Sequence, residues 1–188
     1  MPTISSLTGH FLIAMPALGD PNFARGVTFV CQHGEDGSMG LVVNRASEYR
    51  LGDVMAQMQM HCTREDVAAT QVLIGGPVQG ERGFVLHAPD DRKWDSSFRI
   101  NDALMVTTSR DILAAMAEGN GPGRALIALG YAGWGAGQLE QELRDNAWLT
   151  VEADDRILFE TAIEQRWQAA ASLVGVDLAQ LANYAGHA

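Results

Sequence analysis

Apolar and polar positions alternate along the chain in short stretches, and glycine and proline divide them into brief strands and helices in mixed order. His10 to Met15 is an apolar run of strand length, closed by the loop Pro16-Ala-Leu-Gly-Asp20-Pro21-Asn22. Val27-Thr-Phe-Val-Cys31-Gln-His33 is rich in β-formers, and Gly34-Glu-Asp-Gly37 contains the Asp-Gly pair of a tight turn. Gly40-Leu-Val-Val-Asn44-Arg45 then returns, which predicts an antiparallel hairpin. Leu51 to Met60 reads as a short methionine-rich helix, and Thr63-Arg-Glu-Asp66 has the form of a capping box that opens another. Strands are expected at Gln71 to Ile74 and Gly83 to His87, with Gly75-Gly76-Pro77-Val78 as a loop between them. Phe98 to Asn101 and Leu104 to Thr108 are extended, and Ser109 is the expected cap of a helix Arg110 to Ala117 that Gly119-Asn-Gly-Pro-Gly123 stops.

Arg124 to Tyr131 is an apolar strand that runs into Gly130, Gly133, Gly135 and Gly137, read as a loop that launches a helix from Gln138 to Asp145. Trp148 to Glu152 is a further strand. From Asp155, the residues Phe159, Ile163, Trp167, Ala170 and Val174 recur at three-to-four spacing, which predicts one continuous helical face ending at Gly175. Burying its Phe, Ile and Trp contributes roughly 1.5–3 kcal/mol per side chain, so this helix is expected to pack on the sheet. Asp177 to Gln180 begins a final short helix. With no repeat, low-complexity run or linker, residues 1–188 read as one domain, and the mixed order with an early hairpin favours α+β over a parallel βαβ wind.

Composition narrows the function classes. The chain has 188 residues, 47% of them hydrophobic, and a chain of this size hides roughly 70% of its unfolded surface, enough for one core without disulfides or a structural metal. It carries 13 Lys plus Arg against 23 Asp plus Glu, a net charge of −10, and Lys93 is its one lysine. Through Trp94 there are 7 basic and 10 acidic residues, and after it 6 and 13, so no basic domain hides in an acidic average. Direct nucleic-acid binding is therefore disfavoured. No basic segment precedes Phe11 to Pro16, which is too short for a signal sequence or a span, so a cytoplasmic protein without membrane association is expected. Cys31 and Cys62 are expected to be free thiols there.

Chemical motifs are sparse. Gly133-Trp-Gly135-Ala-Gly137 follows a strand and precedes a helix, but Gln138 stands where a dinucleotide fingerprint needs its third glycine, and Glu140 and Glu142 would repel a pyrophosphate. Cys31, His33, His61 and Cys62 are a two-Cys two-His inventory, yet the adjacent His61 and Cys62 would point apart, so neither metal nor cofactor is expected. Cys31 and His33, two apart on a strand, share a face and suggest a thiol nucleophile with an imidazole base, without a third member. Serine-hydrolase, Walker A, zincin and EF-hand motifs do not occur.

Gly9-His-Phe-Leu-Ile-Ala-Met-Pro16, Asp20-Pro-Asn-Phe23, the hairpin through Asn44-Arg45, Gly75-Gly-Pro-Val78, and Gly130-Tyr-Ala-Gly-Trp-Gly-Ala-Gly-Gln-Leu-Glu140 with Asn146-Ala-Trp-Leu149 together resemble the bacterial YqgE/AlgH family over nearly the whole chain. The resemblance implies a mixed sheet bent towards a pseudo-barrel with helices packed outside, in a cytoplasmic bacterial protein, and it implies no reaction. The expected function is a module binding a protein or small molecule, with an indirect regulatory role, as a monomer or weak homodimer. Its expected surface gathers Asn22, Asn44, Gly75, Gly76, Pro77, Trp134, Glu140, Glu142, Asn146 and Trp148, with Cys31 and His33 beside it. Four glycines in eight residues are expected to bring Asn44 and Glu140 onto one shared surface. The alternatives are an enzyme using Cys31/His33 or Glu140/Glu142, a direct transcriptional regulator, which the charge opposes, or Trp134 and Trp148 as plain core.

Overall fold

The computed structural model describes residues 6–16 and 18–177. Its strands are β1 (His10–Ala14), β2 (Val27–Gly34), β3 (Gly37–Val42), β4 (Ala46–Arg50), β5 (Gln71–Ile74), β6 (Val78–His87), β7 (Ser97–Arg99), β8 (Met105–Thr107), β9 (Ala125–Gly135) and β10 (Trp148–Glu152). They form one sheet in the order β10-β1-β2-β3-β9-β6-β8-β7, with β4 joined through β5 to β9. The β5–β9 pair is parallel and the other pairs are antiparallel. The helices are α1 (Leu51–Gln57), α2 (Glu65–Ala68), α3 (Arg110–Ala117), α4 (Gln138–Arg144), α5 (Asp155–Phe159) and α6 (Arg166–Leu173).

The sheet curls into a half-barrel, and period-2 alternation sends neighbouring residues into different cores. Phe11 and Ile13 of β1, Phe29 of β2, Leu86 of β6 and Val106 of β8 meet in one cluster on the concave side, closed by Leu158 and Ala170 from α5 and α6. Leu12 and Ala14 point the other way, where Leu139 of α4 packs on them with Val30, Trp134 and Trp148. A third cluster seats α1 and α3, through Leu51, Met55, Ile112 and Leu113, on Val85 of β6 and Ile127 of β9.

Backbone crosses backbone at one point, and this explains a glycine-rich segment. After β5 pairs with one edge of β9, the chain passes over β9 and returns as β6 on the other edge. A Cβ on Gly75 would lie 2.3 Å from the Gly130 carbonyl oxygen, and one on Gly76 would lie 2.2 Å from the Tyr131 carbonyl carbon. No side chain fits there, and Gly130 itself has φ +77°. Gly75 and Gly76 are buried, Pro77 is exposed, and Val78 already belongs to β6.

The hairpin, β5, α3 and β10 stand where the local pattern puts them, whereas other elements differ. Gly133 and Gly135 lie inside β9, because β3 offers them a ladder partner. β4, which shows no alternation of its own, forms by pairing with β5. The helix from Leu51 ends at Gln57. Thr63 does not cap α2; its hydroxyl and its amide both donate to the Ala117 carbonyl at the end of α3. Ser109 occupies the N-cap of α3, but its hydroxyl donates to Asp111 Oδ1 at 2.6 Å. The long C-terminal helix is broken into α5, a 3-10 turn Ile163–Gln165 and α6. Thr161 bonds back to the Arg156 carbonyl, and Arg166 turns inward to donate to the carbonyls of Thr161 and Val43. Those tertiary hydrogen bonds replace helical ones, while Phe159, Ile163 and Trp167 still face the core. Of the expected last helix only Asp177 is described, and Leu178 to Gln180 lie outside the described residues.

Candidate functional site

The hairpin tip and the first turn of α4 meet through one charged contact. The Leu7 amide donates to His33 Nδ1 at 2.9 Å, so that nitrogen presents its lone pair and the ring proton sits on Nε2. Nε2–H donates to Glu140 Oε1 at 2.6 Å, with the imidazole 5% and the carboxylate side chain 21% exposed. This hydrogen bond is the main cause that holds the Glu140 carboxyl below the usual carboxylate range.

Glu142 serves the other face of α4. Its Oε1 accepts from both indoles, Trp134 Nε1 at 3.3 Å and Trp148 Nε1 at 3.2 Å, and its Oε2 accepts from Gln138 Nε2 at 3.2 Å. The two indole rings stand edge to face at 6.2 Å, with Phe23 at 6.2 Å and 5.7 Å from them. Trp134 and Trp148 are buried, so the pair is core beneath α4, and Glu142 satisfies the two N–H groups that this burial would orphan.

Asn44 and Glu140 do not share a surface. Asn44 Oδ1 accepts from the Val27 amide at 2.8 Å and its Nδ2 donates to the Arg25 carbonyl at 2.9 Å, at the base of the hairpin. His33, which carries Glu140, lies six residues further along β2, about 20 Å at the usual strand rise. The expectation of one surface fails because the hairpin separates its own two ends. Asn22 is exposed beside Asn44, its carbonyl accepting from Arg45 at 2.7 Å. Asn146, with φ +59°, ends α4: its amide bonds to Leu143 O and the Ala147 amide to Glu142 O, a Schellman pair.

An open groove of about 660 Å³ lies at the hairpin-tip end of the concave side. Phe84 of β6 and Tyr131 of β9 meet edge to face at 5.6 Å on its floor, and the Arg82 guanidinium carbon stands 5.4 Å from the Phe84 centroid. Phe98 of β7 lines the far wall, and Gln32 and Asp36 line the hairpin side. Gly133 also lines it. Its φ is outside the left-handed region, and a Cβ there would meet nothing nearer than Tyr131 Cε2, at 3.5 Å. Neither conformation nor packing demands glycine at 133; its missing side chain leaves the groove open. Arg82, Phe84, Phe98 and Tyr131 escape sequence reasoning because they come from three strands and form no motif. The glycine within an apolar strand was the available signal.

With that geometry in view, the AlgH-like family model matches residues 11–179. The chain belongs to the AlgH-like family. A UPF0301 protein of Stenotrophomonas maltophilia is 56% identical over 185 residues, 98% of each chain. One of Xanthomonas euvesicatoria is 57% identical over 182 residues, 97% of this chain and 96% of the relative. The solution structure of the AlgH protein from Pseudomonas aeruginosa has a TM-score of 0.80 at 48% identity over 96% of each chain. A crystal structure from Corynebacterium diphtheriae, 20% identical over 97% of this chain and 94% of its own, shares the fold with a TM-score of 0.74.

In this AlgH-like chain the Cys31–His33 pairing is undone by a bulge. Val30 pairs with Gly40 but Gln32 pairs with Met39, so Cys31 is an extra residue and the facing changes after it. Cys31 turns into the concave core, Gln32 into the groove, and His33 outward to α4. Burial pushes the Cys31 thiol up, away from the thiolate form, and among the described residues the thiol donates to the Phe29 carbonyl at 3.9 Å. Cys62 belongs instead to the α1–α3 cluster and His61 is exposed. No three His, Cys, Asp or Glu among the described residues are grouped to hold a metal. Across the described residues no helix is long and apolar enough to cross a membrane.

Proposed function

We propose that this AlgH-like protein is a binding module of the bacterial cytoplasm that takes a small-molecule or protein partner in the groove at the half-barrel mouth. Its regulatory role is indirect, exerted through that partner, and it works as a monomer or weak homodimer. The observation that carries this reading is Gly133, which keeps open a groove floored by aromatic rings in a strand that would accept a larger residue. A cavity of several hundred Å³ with an apolar floor and a few convergent polar groups is the usual form of a ligand site. An enzymatic reading through Cys31/His33 or Glu140/Glu142 has less support, because the thiol is buried and the imidazole and both carboxylates are committed to internal partners. The net charge of −10 opposes DNA as the partner.

Titration of the isotopically labelled chain with a small-molecule fragment library, followed by amide chemical shifts, tests the site. Shifts are expected at Phe84, Phe98, Tyr131 and Gly133. Shifts confined to the apolar cavity between α1 and α3, lined by Met58, Leu113 and Leu129, or absent altogether, would overturn it.

A further inference from the structure

β9 is 11 residues long, but its two edges are not covered equally. On one edge β5 pairs at Ala128 and Leu129, and β3 from Ala132 to Gly135. On the other, β6 pairs from Ala125 to Leu129 and once more where Val78 meets Tyr131. Pro77, the next residue back along β6, has no N–H to donate, and Gly75 and Gly76 climb over β9. Beyond Tyr131 this second edge therefore carries no strand among the described residues.

The direction of the backbone groups there can be read from one hydrogen bond and one close approach. The Gly135 amide donates to Gln138 Oε1 at 3.0 Å, and a Cβ on Gly37 of β3 would lie 2.5 Å from the Trp134 carbonyl oxygen, so Trp134 faces β3 and Gly135 faces away from it. Backbone groups two residues apart in a strand point the same way, so the N–H and C=O of Gly133 face the open edge as well. Gly133 is exposed, and its missing Cβ, which would point over Tyr131, leaves room on that face for a side chain of an added strand. The groove beside it bears both signs of charge. Arg82 and Asp36 line it from β6 and from the hairpin tip, and neither has an ion-pair partner among the described residues.

The geometry points to an extended peptide segment of a partner protein, added as a strand along Ala132–Gly135 of β9. An apolar side chain of the segment lies over Tyr131 and Phe84, an acidic one meets Arg82 and a basic one meets Asp36. This inference rests on the groove as the binding site and specifies its occupant. The Gly133 N–H and C=O offer a main-chain donor and acceptor to any sequence, the Gly135 amide being held by Gln138, and the groove then selects alternate side chains, the usual division of labour in strand addition. A second copy of the chain suits the site less well, since both copies would carry a net charge of −10.

The test uses the full chain and a phage-displayed library of random heptapeptides. Enriched peptides are expected to place an apolar residue between an acidic and a basic one. Synthesised with blocked ends, they are expected to bind about tenfold more weakly when one alternate set of amides is N-methylated, and unchanged when the other set is. Gly133→Val, whose Cβ meets nothing nearer than Tyr131 Cε2 at 3.5 Å, fills the space over Tyr131 that the apolar residue of the peptide needs and should abolish binding while the circular dichroism spectrum and Tm stay as in the parent. Arg82→Glu should select against the acidic residue. Failure to enrich any peptide, affinity indifferent to N-methylation, or binding that survives Gly133→Val overturns the inference. So does sedimentation showing a dimer that Gly133→Val dissociates, which would assign the edge to a second copy. If fragments shift the groove amides and no peptide is enriched, the occupant is wrong and the site stands; if neither binds, both readings fall.

Discussion

His33 Nε2 and Glu140 Oε1 stand 2.6 Å apart across 107 positions of sequence, and this contact ties α4 to the tip of the β2–β3 hairpin. The Leu7 amide fixes the ring's other nitrogen, so three separate segments depend on one imidazole. Glu140→Gln keeps an acceptor for His33 and is expected to lower stability by about 1 kcal/mol at pH 7, the difference between a charged and a neutral hydrogen bond. The folded carboxyl titrates below its unfolded value, so its contribution is fully present above roughly pH 4.3 and disappears as the pH falls through the folded value. Urea denaturation of both proteins at pH 7 and pH 3 checks this; a difference that does not shrink in acid would refute it.

Removing the carboxylate under the two indoles should have an optical signature. In Glu142→Leu, both indole N–H groups lose their acceptor, at a cost of about 1–3 kcal/mol for buried donors left unmade. Near-ultraviolet circular dichroism is expected to weaken as Trp134 and Trp148 lose their fixed edge-to-face geometry. Unchanged spectra and stability would show that water replaces the carboxylate without loss.

The two thiols should behave differently. Cys62 is expected to react with a disulfide reagent in the native protein, whereas Cys31, buried and with its thiolate disfavoured, should react at the rate of unfolding. Labelling of Cys62→Ser at rising urea concentration measures this. Fast labelling of Cys31 without denaturant would restore it as a candidate nucleophile.

Glycine positions should divide by what surrounds them. Gly75→Ala would set a Cβ 2.3 Å from a backbone oxygen, and a loss of more than about 2 kcal/mol is expected. Gly137→Asn meets open space at φ +75°, a conformation asparagine tolerates, and should cost less than about 1 kcal/mol. Thermal unfolding of the two variants compares them directly; equal losses would show that the crossing over β9 is not tight.

Duplex DNA is expected not to bind in a salt-dependent, sequence-specific way, since 13 cationic residues face 23 anionic ones. Fluorescence anisotropy at two salt concentrations checks this. Sub-micromolar affinity that falls steeply with salt would contradict it.

Local chemistry settled several elements of this chain. The Asp-Gly turn between β-branched runs specifies the hairpin, and apolar runs bounded by breakers mark Gln71–Ile74, Arg110–Ala117 and Trp148–Glu152. Several motifs in a single order also marked the family. Tertiary structure alone decided the remainder, because a strand is defined by partners that lie far off in the sequence. Gly133 and Gly135 are strand residues since β3 pairs with them, and β4 exists through β5. One extra residue at Cys31 reverses which side chains face the groove, a change of parity that local alternation cannot register. The C-terminal helix breaks where Arg166 turns inward to the carbonyl of Val43. The groove lay furthest from sequence reading: Arg82, Phe84, Phe98 and Tyr131 converge only because the sheet curls, and the curl belongs to the whole sheet rather than to any strand in it.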